Sequence, residues 1–238
     1  MPMSEAILIS HLCKSFCIEG RSIPVLRDLD LTLDARGFTV LVGRSGCGKT
    51  TLLRLLSGLL QPDSGQILLP ADLRMGIMFQ EARLMPWLTA ERNVTLGIRR
   101  PTPEKARQML QLVGLSGFER AYPAQLSGGM QQRAALARTL MRDAQLILMD
   151  EPFAALDSFT RETMQKELLR IRREKDCGVI LVTHNIDEAL ILGDRIVLLS
   201  DGRAARSYEL PAQTGCRDIL TEPFLSIKKS VMEALKSL

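Results

Sequence analysis

A glycine-rich run between a short apolar segment and a helical pattern restricts the fold of this 238-residue chain more than any other feature. Residues 38–42 form a short, apolar, β-rich segment that predicts a buried strand. The run at 43–51 fits the pattern GxxxxGK[ST], and leucines at helical spacing follow it through residue 59. Strand, glycine loop and helix in this order predict an α/β fold whose loop N–H groups converge on an anion.

The residue types of the run assign its chemistry. Lys49 should reach the β- and γ-phosphates of a nucleotide, and Thr50 should ligate Mg²⁺. A chance glycine-rich turn is the alternative, but both flanks are those that the pattern requires. We therefore predict ATP-binding by the whole run: Gly43, Arg44, Ser45, Gly46, Cys47, Gly48, Lys49, Thr50 and Thr51.

Two carboxylates end a second apolar run. Residues 146–149 predict another buried strand, and Asp150 and Glu151 follow it directly. Ligands gather at the carboxyl ends of parallel strands, so the pair is suited to a nucleotide site. Asp150 is suited to hold Mg²⁺, through water, and Glu151 to polarise an attacking water. The alternative is an ordinary acidic pair at the end of a strand. Because a phosphate loop lies upstream, this alternative is the weaker interpretation.

A further anion site is predicted at residues 126–133, before a strong helical pattern at 131–141. Ser127 is a good N-cap, and Gly128 and Gly129 expose backbone N–H groups at a helix start. A plain capped helix explains the motif equally well when it is taken alone.

The bulk properties exclude several other classes. The net charge of +4 is spread over the chain as pairs rather than as a tract, and only 4% of the residues are aromatic, so we predict no nucleic-acid partner. The count of five cysteines is odd and includes no CxxC pair, which indicates free thiols in a reducing compartment. We see neither a signal peptide nor an apolar stretch of ~18 residues.

Apolar runs at 74–79, 179–182 and 196–199, with helical patterns at 103–113 and 160–174, predict a mostly parallel sheet. β structure is also predicted near the N-terminus, where residues 6–12 form an apolar segment and leucines alternate with polar residues at 29, 31 and 33. We expect a single domain over 1–238. Residues 1–82 and 142–205 form its core, residues 83–141 form a helical insertion, and residues 206–238 form the tail.

With these motifs in this order, the chain resembles the ATP-binding-cassette (ABC) transporter ATPases over nearly its whole length. Residues 126–133 resemble that family's signature motif. The resemblance implies a P-loop NTPase fold with a RecA-like, mostly parallel sheet, an N-terminal antiparallel β subdomain and an inserted α-helical subdomain. It also implies ATP and Mg²⁺ as cofactors and ATP hydrolysis coupled to transport.

The resemblance assigns further residues. Gln80 matches the Q-loop glutamine, which senses Mg²⁺ and the attacking water; His184 matches the switch histidine, which contacts the γ-phosphate. Residues 155–157 match the D-loop, where Asp157 would couple two sites. Phe16 lies where the family stacks an aromatic ring on adenine, although a core position is an equal alternative. His11 has no such context, and we interpret it as structural.

The family's signature acts in trans, so a homodimer would sandwich two ATP molecules and Ser127 and Gly129 would face the partner's nucleotide. The catalytic set implied is Glu151, His184, Gln80 and Lys49. The metal set is Thr50, Gln80 and Asp150.

The stretch from 77 to 94 resembles nitrate, sulfonate and taurine importer ATPases, with the aliphatic sulfonate type nearest. The resemblance implies membrane permease subunits, a separate solute-binding protein, and a peripheral location on the cytoplasmic face of the cell membrane. Trp87 would lie where a permease docks, and a core position is the alternative.

Two other functions are alternatives to the importer. A soluble ABC ATPase of DNA repair or translation usually carries coiled coils, zinc modules or a second cassette, and none is visible in the sequence. A regulatory module without catalysis would not need Lys49, Asp150, Glu151 and His184 together.

Overall fold

The computed structural model describes residues 5–154, 156–212 and 217–237. In chain order the strands are β1 Ala6–Ile18, β2 Arg21–Asp34, β3 Phe38–Val42, β4 Ser64–Leu68, β5 Met75–Met78, β6 Leu146–Asp150, β7 Gly178–Thr183, β8 Arg195–Ser200 and β9 Arg203–Glu209. The helices are α1 Lys49–Leu56, α2 Ala90–Val94, α3 Pro103–Leu112, α4 Gly128–Leu140, α5 Ser158–Lys175, α6 Ile186–Leu192 and α7 Phe224–Ser237. The chain divides into two compact units, one from residues 1–73 and 178–238 and the other from 74–177.

The first unit contains an antiparallel sheet of order β2-β1-β4. Leu8 lies between Thr32 and Leu68 in the register of the two pairings. Alternate residues such as Leu12, Leu29 and Leu33 are fully buried, which is the period-2 pattern of a sheet with one face in the core.

The same unit contains the strands that carry the glycine loop. β3 lies between β7 and β8 and is parallel to both, and β9 extends β8 as an antiparallel edge. All residues of β3 and β7 are buried, as expected of parallel strands covered on both faces. α6 contacts β3, and α1 contacts β7.

In the second unit β5 and β6 pair in parallel, with Met75 opposite Leu146 and Met78 opposite Met149. Helices α2, α3 and α4 contact one another, and α4 also packs on β5 and α5. Thr102, Ser127 and Asp157 each cap the helix that follows by accepting a backbone N–H bond.

Most predicted elements are present with shifted ends. The buried strand at 38–42 matches β3, whereas the helix predicted over 131–141 begins at Gly128 because Ser127 caps it. Residues 19 and 20 form the turn between β1 and β2. Within the described residues no helix is long and apolar enough to cross a membrane. Cys13, Cys17 and Cys47 are free thiols, Cys177 is buried, and Cys216 lies outside the described residues.

Candidate functional site

The glycine loop leaves β3 and enters α1 through two backbone positions that favour glycine. Gly46 has φ 83° and Gly48 has φ 105°. A Cβ on Gly48 would lie 2.6 Å from Leu26 Cδ2, so this position also lacks room for a side chain. Gly48 is the N-cap of α1 and supplies no side-chain cap. A helix start without a side-chain cap is the arrangement at which proteins bind phosphate groups.

Lys49 is folded back into this loop. Its Nζ donates to Gly43 O at 2.8 Å and to Arg44 O at 2.9 Å, and lies 3.7 Å from Cys47 Sγ. The side chain is only 6% exposed, and a buried ammonium group requires such partners. The loop therefore holds one positive charge at its centre. Arg44, Ser45 and Gly46 lie on the exposed side of the loop, while Thr50 and Thr51 are half-buried.

His184 leaves the same sheet beside the loop. Val42 pairs with Thr183 at the ends of the parallel strands β3 and β7, so Gly43 and His184 are the next residues of neighbouring strands. His184 is exposed, while Thr183 Oγ1 donates to Glu188 Oε2 at 2.6 Å within the buried end of the strand. The fold thus brings two distant sequence motifs to one edge of the sheet.

The position of Phe16 does not decide whether its ring stacks on adenine. It is half-buried on β1, with Lys14 Nζ 5.8 Å from its ring centroid. A cavity of about 320 Å³ borders residues 44–47 and is also lined by Pro24, Val25 and residues 199–202. Phe16 is not among the described residues that line it, so adenine stacking stays a prediction.

In the second unit Gln80 and the two carboxylates follow neighbouring parallel strands. Because Met78 pairs with Met149, Gln80 and Glu151 each lie two residues beyond a register pair. Asp150 and Glu151 are half-buried and Gln80 is exposed. Glu151 has φ 46°, a left-handed conformation that costs free energy for a residue with a side chain. Such strain is found most often where a side chain must be aimed at a ligand.

The signature residues lie at the start of α4. Ser127 Oγ accepts from Met130 N at 3.3 Å, which forms the N-cap. Ser127 and Gly128 are exposed, and nothing lies within 4 Å of a Cβ built on Gly128. Gly129 is buried, and a Cβ there would lie 2.5 Å from Thr160 Cγ2. The helix therefore presents an open N-terminal surface at Ser127 and Gly128.

Side chains of α4 hold the main chain that follows β5. Gln132 Nε2 donates to Gln80 O at 2.5 Å, and Arg138 donates to Ala82 O and Arg83 O, each at 2.8 Å. Gln132 is 5% exposed, and its Oε1 has no hydrogen-bond partner among the described residues. Sequence reasoning did not assign these contacts, since a side chain reaching a distant carbonyl leaves no periodic signal.

Asp157 caps α5 by accepting from Thr160 N at 3.0 Å. Hydrogen bonds from Thr160 lower the pKa of the Asp157 carboxyl. Its neighbour Ala155, part of the predicted D-loop, lies outside the described residues.

Trp87 is 70% exposed, so the alternative of a core position is wrong. The loop that contains Trp87 is held by hydrogen bonds to Asn93, which is fully buried. Asn93 accepts from Met85 N and donates to Met85 O, Leu88 O and Thr89 O at 2.7–3.1 Å. A rigid loop with an exposed indole is typical of a protein-binding surface.

Comparison with known proteins decides the family. Residues 26–154, more than half of the chain, match the family model described as ABC transporter. The chain belongs to the ABC transporter family. It is 45% identical to the aliphatic sulfonates import ATP-binding protein SsuB 1 of Paracoccus denitrificans over 87% of this chain and 85% of that protein. It is 41% identical to an uncharacterized ABC transporter ATP-binding protein of Methanocaldococcus jannaschii, over 98% of this chain and 92% of that protein.

A solved ABC cassette has the same fold. The dimeric ATP-binding cassette MJ0796, in a post-hydrolysis state bound to ADP and Pi, superposes with a TM-score of 0.77 at 31% identity, covering 87% of this chain and all of that chain. The predicted class is thereby confirmed: a P-loop fold with a mainly parallel sheet, an N-terminal antiparallel β part and helices. The chain is the ATP-binding, ATP-hydrolysing subunit of an ABC transporter.

Proposed function

We propose that the chain energises an ABC importer by hydrolysing ATP at a site assembled from the residues described above. The observation that carries the proposal is the loop at 43–51, in which Lys49 Nζ is held by the main-chain oxygens of Gly43 and Arg44. Lys49 exchanges its loop carbonyls for phosphate oxygens when the nucleotide binds, and the helix start of α1 adds N–H donors. Phe16 supplies the face for adenine.

The donors proposed for Mg²⁺ fit that ion. The hydroxyl of Thr50, the carboxylate of Asp150 and the amide oxygen of Gln80 are hard oxygen ligands, which Mg²⁺ prefers, with water completing its octahedron. Bound there, Mg²⁺ supplies neutralisation of the phosphate charge. Glu151 orients and polarises the attacking water, and His184 donates a hydrogen bond to the γ-phosphate.

The site is proposed to be shared between two copies of the chain. Ser127, Gly128 and Gly129 of one copy close over the nucleotide held by the other, and Asp157 couples the two sites. The exposure of Ser127 and Gly128 supports this, because an N-terminal helix surface is open to a ligand from outside. A related solved cassette is dimeric with ADP and Pi bound. ATP favours the closed dimer and hydrolysis releases it.

Sulfonate-type organic anions are the proposed cargo class, with nitrate and taurine as related possibilities. Support comes from several curated relatives at 38–45% identity, which are named for aliphatic sulfonate import. The choice of cargo would rest with a separate solute-binding protein and with the permease. We favour this function over a soluble repair or translation ATPase because those relatives match most of this chain.

Permease subunits are the proposed membrane partners, held at the loop around Trp87. The exposed indole and the four hydrogen bonds of Asn93, one accepted and three donated, support a rigid docking surface there. In this arrangement the chain lies on the cytoplasmic face of the cell membrane. The proposed domain organisation is a core of residues 1–82 and 142–205, a helical subdomain of residues 83–141 and a tail of residues 206–238.

A single variant tests the chemistry. Glu151→Gln should bind ATP with wild-type affinity, lose nearly all turnover and form a stable dimer in ATP, measured by phosphate release and by light scattering. Glu233→Gln, an exposed glutamate of α7, is the matched control and should behave as wild type. Wild-type turnover in Glu151→Gln would remove Glu151 as the base.

The membrane partner is tested separately by purifying the tagged chain from detergent-solubilised membranes of its own cells. A multi-span protein at equal stoichiometry is expected, and mass spectrometry identifies it. ATP-dependent binding to DNA or ribosomes, without a membrane protein, would support the alternative function instead.

A further inference from the structure

Three hydrogen bonds form a closed network around the position of His184 at the end of β7. Asn185 N donates to Thr183 Oγ1 at 3.1 Å, and Thr183 Oγ1 donates to Glu188 Oε2 at 2.6 Å. Glu188 N donates to Asn185 Oδ1 at 3.3 Å, which closes the network. We call Thr183, Asn185 and Glu188 the switch network. His184 lies on the main chain between two of its members, so its backbone is held on both sides.

The shortest bond of the switch network joins two buried side chains. Thr183 is 2% exposed and Glu188 is 5% exposed, and a buried carboxylate requires a hydrogen-bond donor. A bond to a carboxylate in the protein interior is stronger than one at the surface, and leaving either group unpaired is costly. The hydroxyl of Thr183 has one proton to donate, which goes to Glu188. Its oxygen is therefore left to accept from Asn185 N.

The switch network is attached to a helix that packs on the strand of the phosphate loop. α6 contacts β3, and its residues 188–190 are buried. Glu188 lies in the first turn of this helix, where the helix dipole favours a negative charge. Asn185 Oδ1 also accepts from Asp187 N at 2.9 Å, so the cap of α6 and the network share one side chain. The position of a buried helix is thereby transferred to the main chain at residue 184.

We infer that Glu188 is a positioning residue for ATP hydrolysis, which acts through Thr183 and Asn185 to fix the His184 imidazole relative to the phosphate loop. This rests on the proposed function, in which His184 donates to the γ-phosphate. Thr183 is also paired with Val42, the last residue of β3 before the loop, so the loop and the network start from one register pair. Fixing residue 184 matters because a displacement of about 1 Å can lower a rate about a hundredfold.

The inference is tested on the full chain with a double variant, Thr183→Val with Glu188→Met, which removes both partners of the shortest bond. Replacing both partners by apolar groups of similar size costs less stability than removing one, which would leave a buried group unpaired. Thr183→Ser keeps the hydroxyl and is the conservative variant. Thr39→Val removes the hydroxyl of an equally buried threonine of β3 and is the matched control. Thermal melting shows that each variant is folded.

The position of residue 184 is measured without reference to activity. The chain has two histidines, so ¹⁵N-histidine labelling gives two backbone amide signals, and the one that is lost in His184→Ala belongs to residue 184. We expect its order parameter to fall in the double variant, from the ~0.85 of rigid backbone toward the ~0.6 of flexible backbone, while the His11 signal stays unchanged. Thr183→Ser and Thr39→Val should keep the wild-type value.

Turnover separates positioning from a merely structural role. The double variant should hydrolyse saturating ATP at least about tenfold more slowly than wild type. Its ATP affinity should stay within about twofold, because Lys49 is held by the main-chain oxygens of Gly43 and Arg44. In a His184→Ala background the same two substitutions should lower turnover no further, since the group that they position is absent. An equal loss in both backgrounds would overturn the inference.

The two proposals fail separately. If His184→Ala keeps wild-type turnover, the proposed role of the histidine in hydrolysis is removed, and the inference with it. If His184→Ala loses turnover while the folded double variant keeps a rigid amide at residue 184 and wild-type turnover, the histidine keeps its role. The switch network is then removed as the device that positions it.

Discussion

Val42 and Thr183 are paired neighbours at the carboxyl ends of two parallel strands, so the residues that follow them, Gly43 and His184, leave the sheet side by side. The loop that surrounds Lys49 and the histidine are therefore positioned by the same hydrogen-bonded ladder. Thr183 is fixed in turn by its bond to Glu188, which is buried. This explains how His184 can be exposed and still be held in a defined place.

The first prediction concerns His184→Ala. It should leave ATP affinity near wild type, because Lys49 is held in the loop by the main-chain oxygens of Gly43 and Arg44, but it should lower turnover by about a hundredfold through loss of one donor to the transition state. Nucleotide titration and phosphate release measure the two effects. His11→Asn, at the other histidine, is the control and should keep wild-type turnover. A matching loss of affinity in His184→Ala would show that the histidine supports the loop rather than the reaction.

The second prediction concerns Ser127→Arg. A long cation at the exposed start of α4 should abolish hydrolysis and ATP-dependent dimer formation, while the isolated monomer keeps most of its nucleotide affinity. The reason is that the signature is proposed to face the partner's nucleotide. Equilibrium dialysis with the monomer and light scattering with ATP measure these effects. Loss of nucleotide binding by the isolated monomer would contradict the shared site.

The third prediction concerns Gln132, whose Nε2 holds the main chain at Gln80. Gln132→Leu should lower turnover at saturating ATP at least about tenfold, since a small displacement of a positioned group is costly in rate, with KM within about twofold. Its free energy of unfolding should change by less than about 1 kcal/mol, because the substitution also removes the buried, unpartnered Oε1.

Gln111→Leu, at an exposed position of α3, is the control for the third prediction and should retain wild-type turnover. A large loss of stability in Gln132→Leu, with turnover per folded molecule unchanged, would make Gln132 structural only.

The sequence predicts the elements whose own pattern decides them. β3 is predicted without error because a short apolar run with β-branched residues, bounded by glycines at 37 and 43, favours a buried strand. By contrast β9, mostly exposed and carrying three charged residues, has no apolar pattern, and its hydrogen bonds to β8 create it. α6 is missed because its seven residues are too few for a clear helical period, although Asn185 caps its start.

The residues of the candidate site also fall into those that the sequence predicts and those that it does not. Loops whose chemistry lies in consecutive residues, such as 43–51, can be recognised from the sequence. Contacts that depend on tertiary packing cannot: nothing in the sequence indicates that Asn93 is buried beneath the loop of Trp87, or that Arg83, Arg138 and Arg142 line one cavity.

The fourth prediction is a pH dependence at His11. Its Nδ1 lies 2.8 Å from Asp28 Oδ1, and this hydrogen bond, followed by the charge of Asp30, raises the pKa of His11 above 6.5. Because the folded pKa is the higher one, the contribution to stability is complete below pH 6.5 and disappears as the pH rises through the folded pKa. The melting temperature of wild type should therefore exceed that of His11→Asn at acidic pH and approach it at alkaline pH.

Asparagine is the suitable replacement because His11 has φ 52°, which asparagine tolerates. Asp28→Asn, at a residue with the same φ, should remove most of the pH dependence. A difference in melting temperature that is constant across pH would show that the pair is not charged in the folded protein.

The fifth prediction separates two adjacent glycines of α4. Gly128→Ala should raise the free energy of unfolding by about 0.5–1 kcal/mol, because the space around it is open and alanine favours a helix. Gly129→Ala gains the same propensity, but its Cβ would lie 2.5 Å from Thr160 Cγ2, so overpacking of about 1–3 kcal/mol makes it destabilising. Urea unfolding measures both changes.

Thr160→Ser removes the Cγ2 methyl and leaves the backbone N–H that Asp157 accepts, so it should rescue Gly129→Ala while changing Gly128→Ala little. The rescue would assign the requirement for glycine at 129 to packing against α5 rather than to the nucleotide. If the two alanine variants had equal stability, α4 and α5 would have to separate easily at this contact, and the buried position of Gly129 would then have to serve the partner's nucleotide instead.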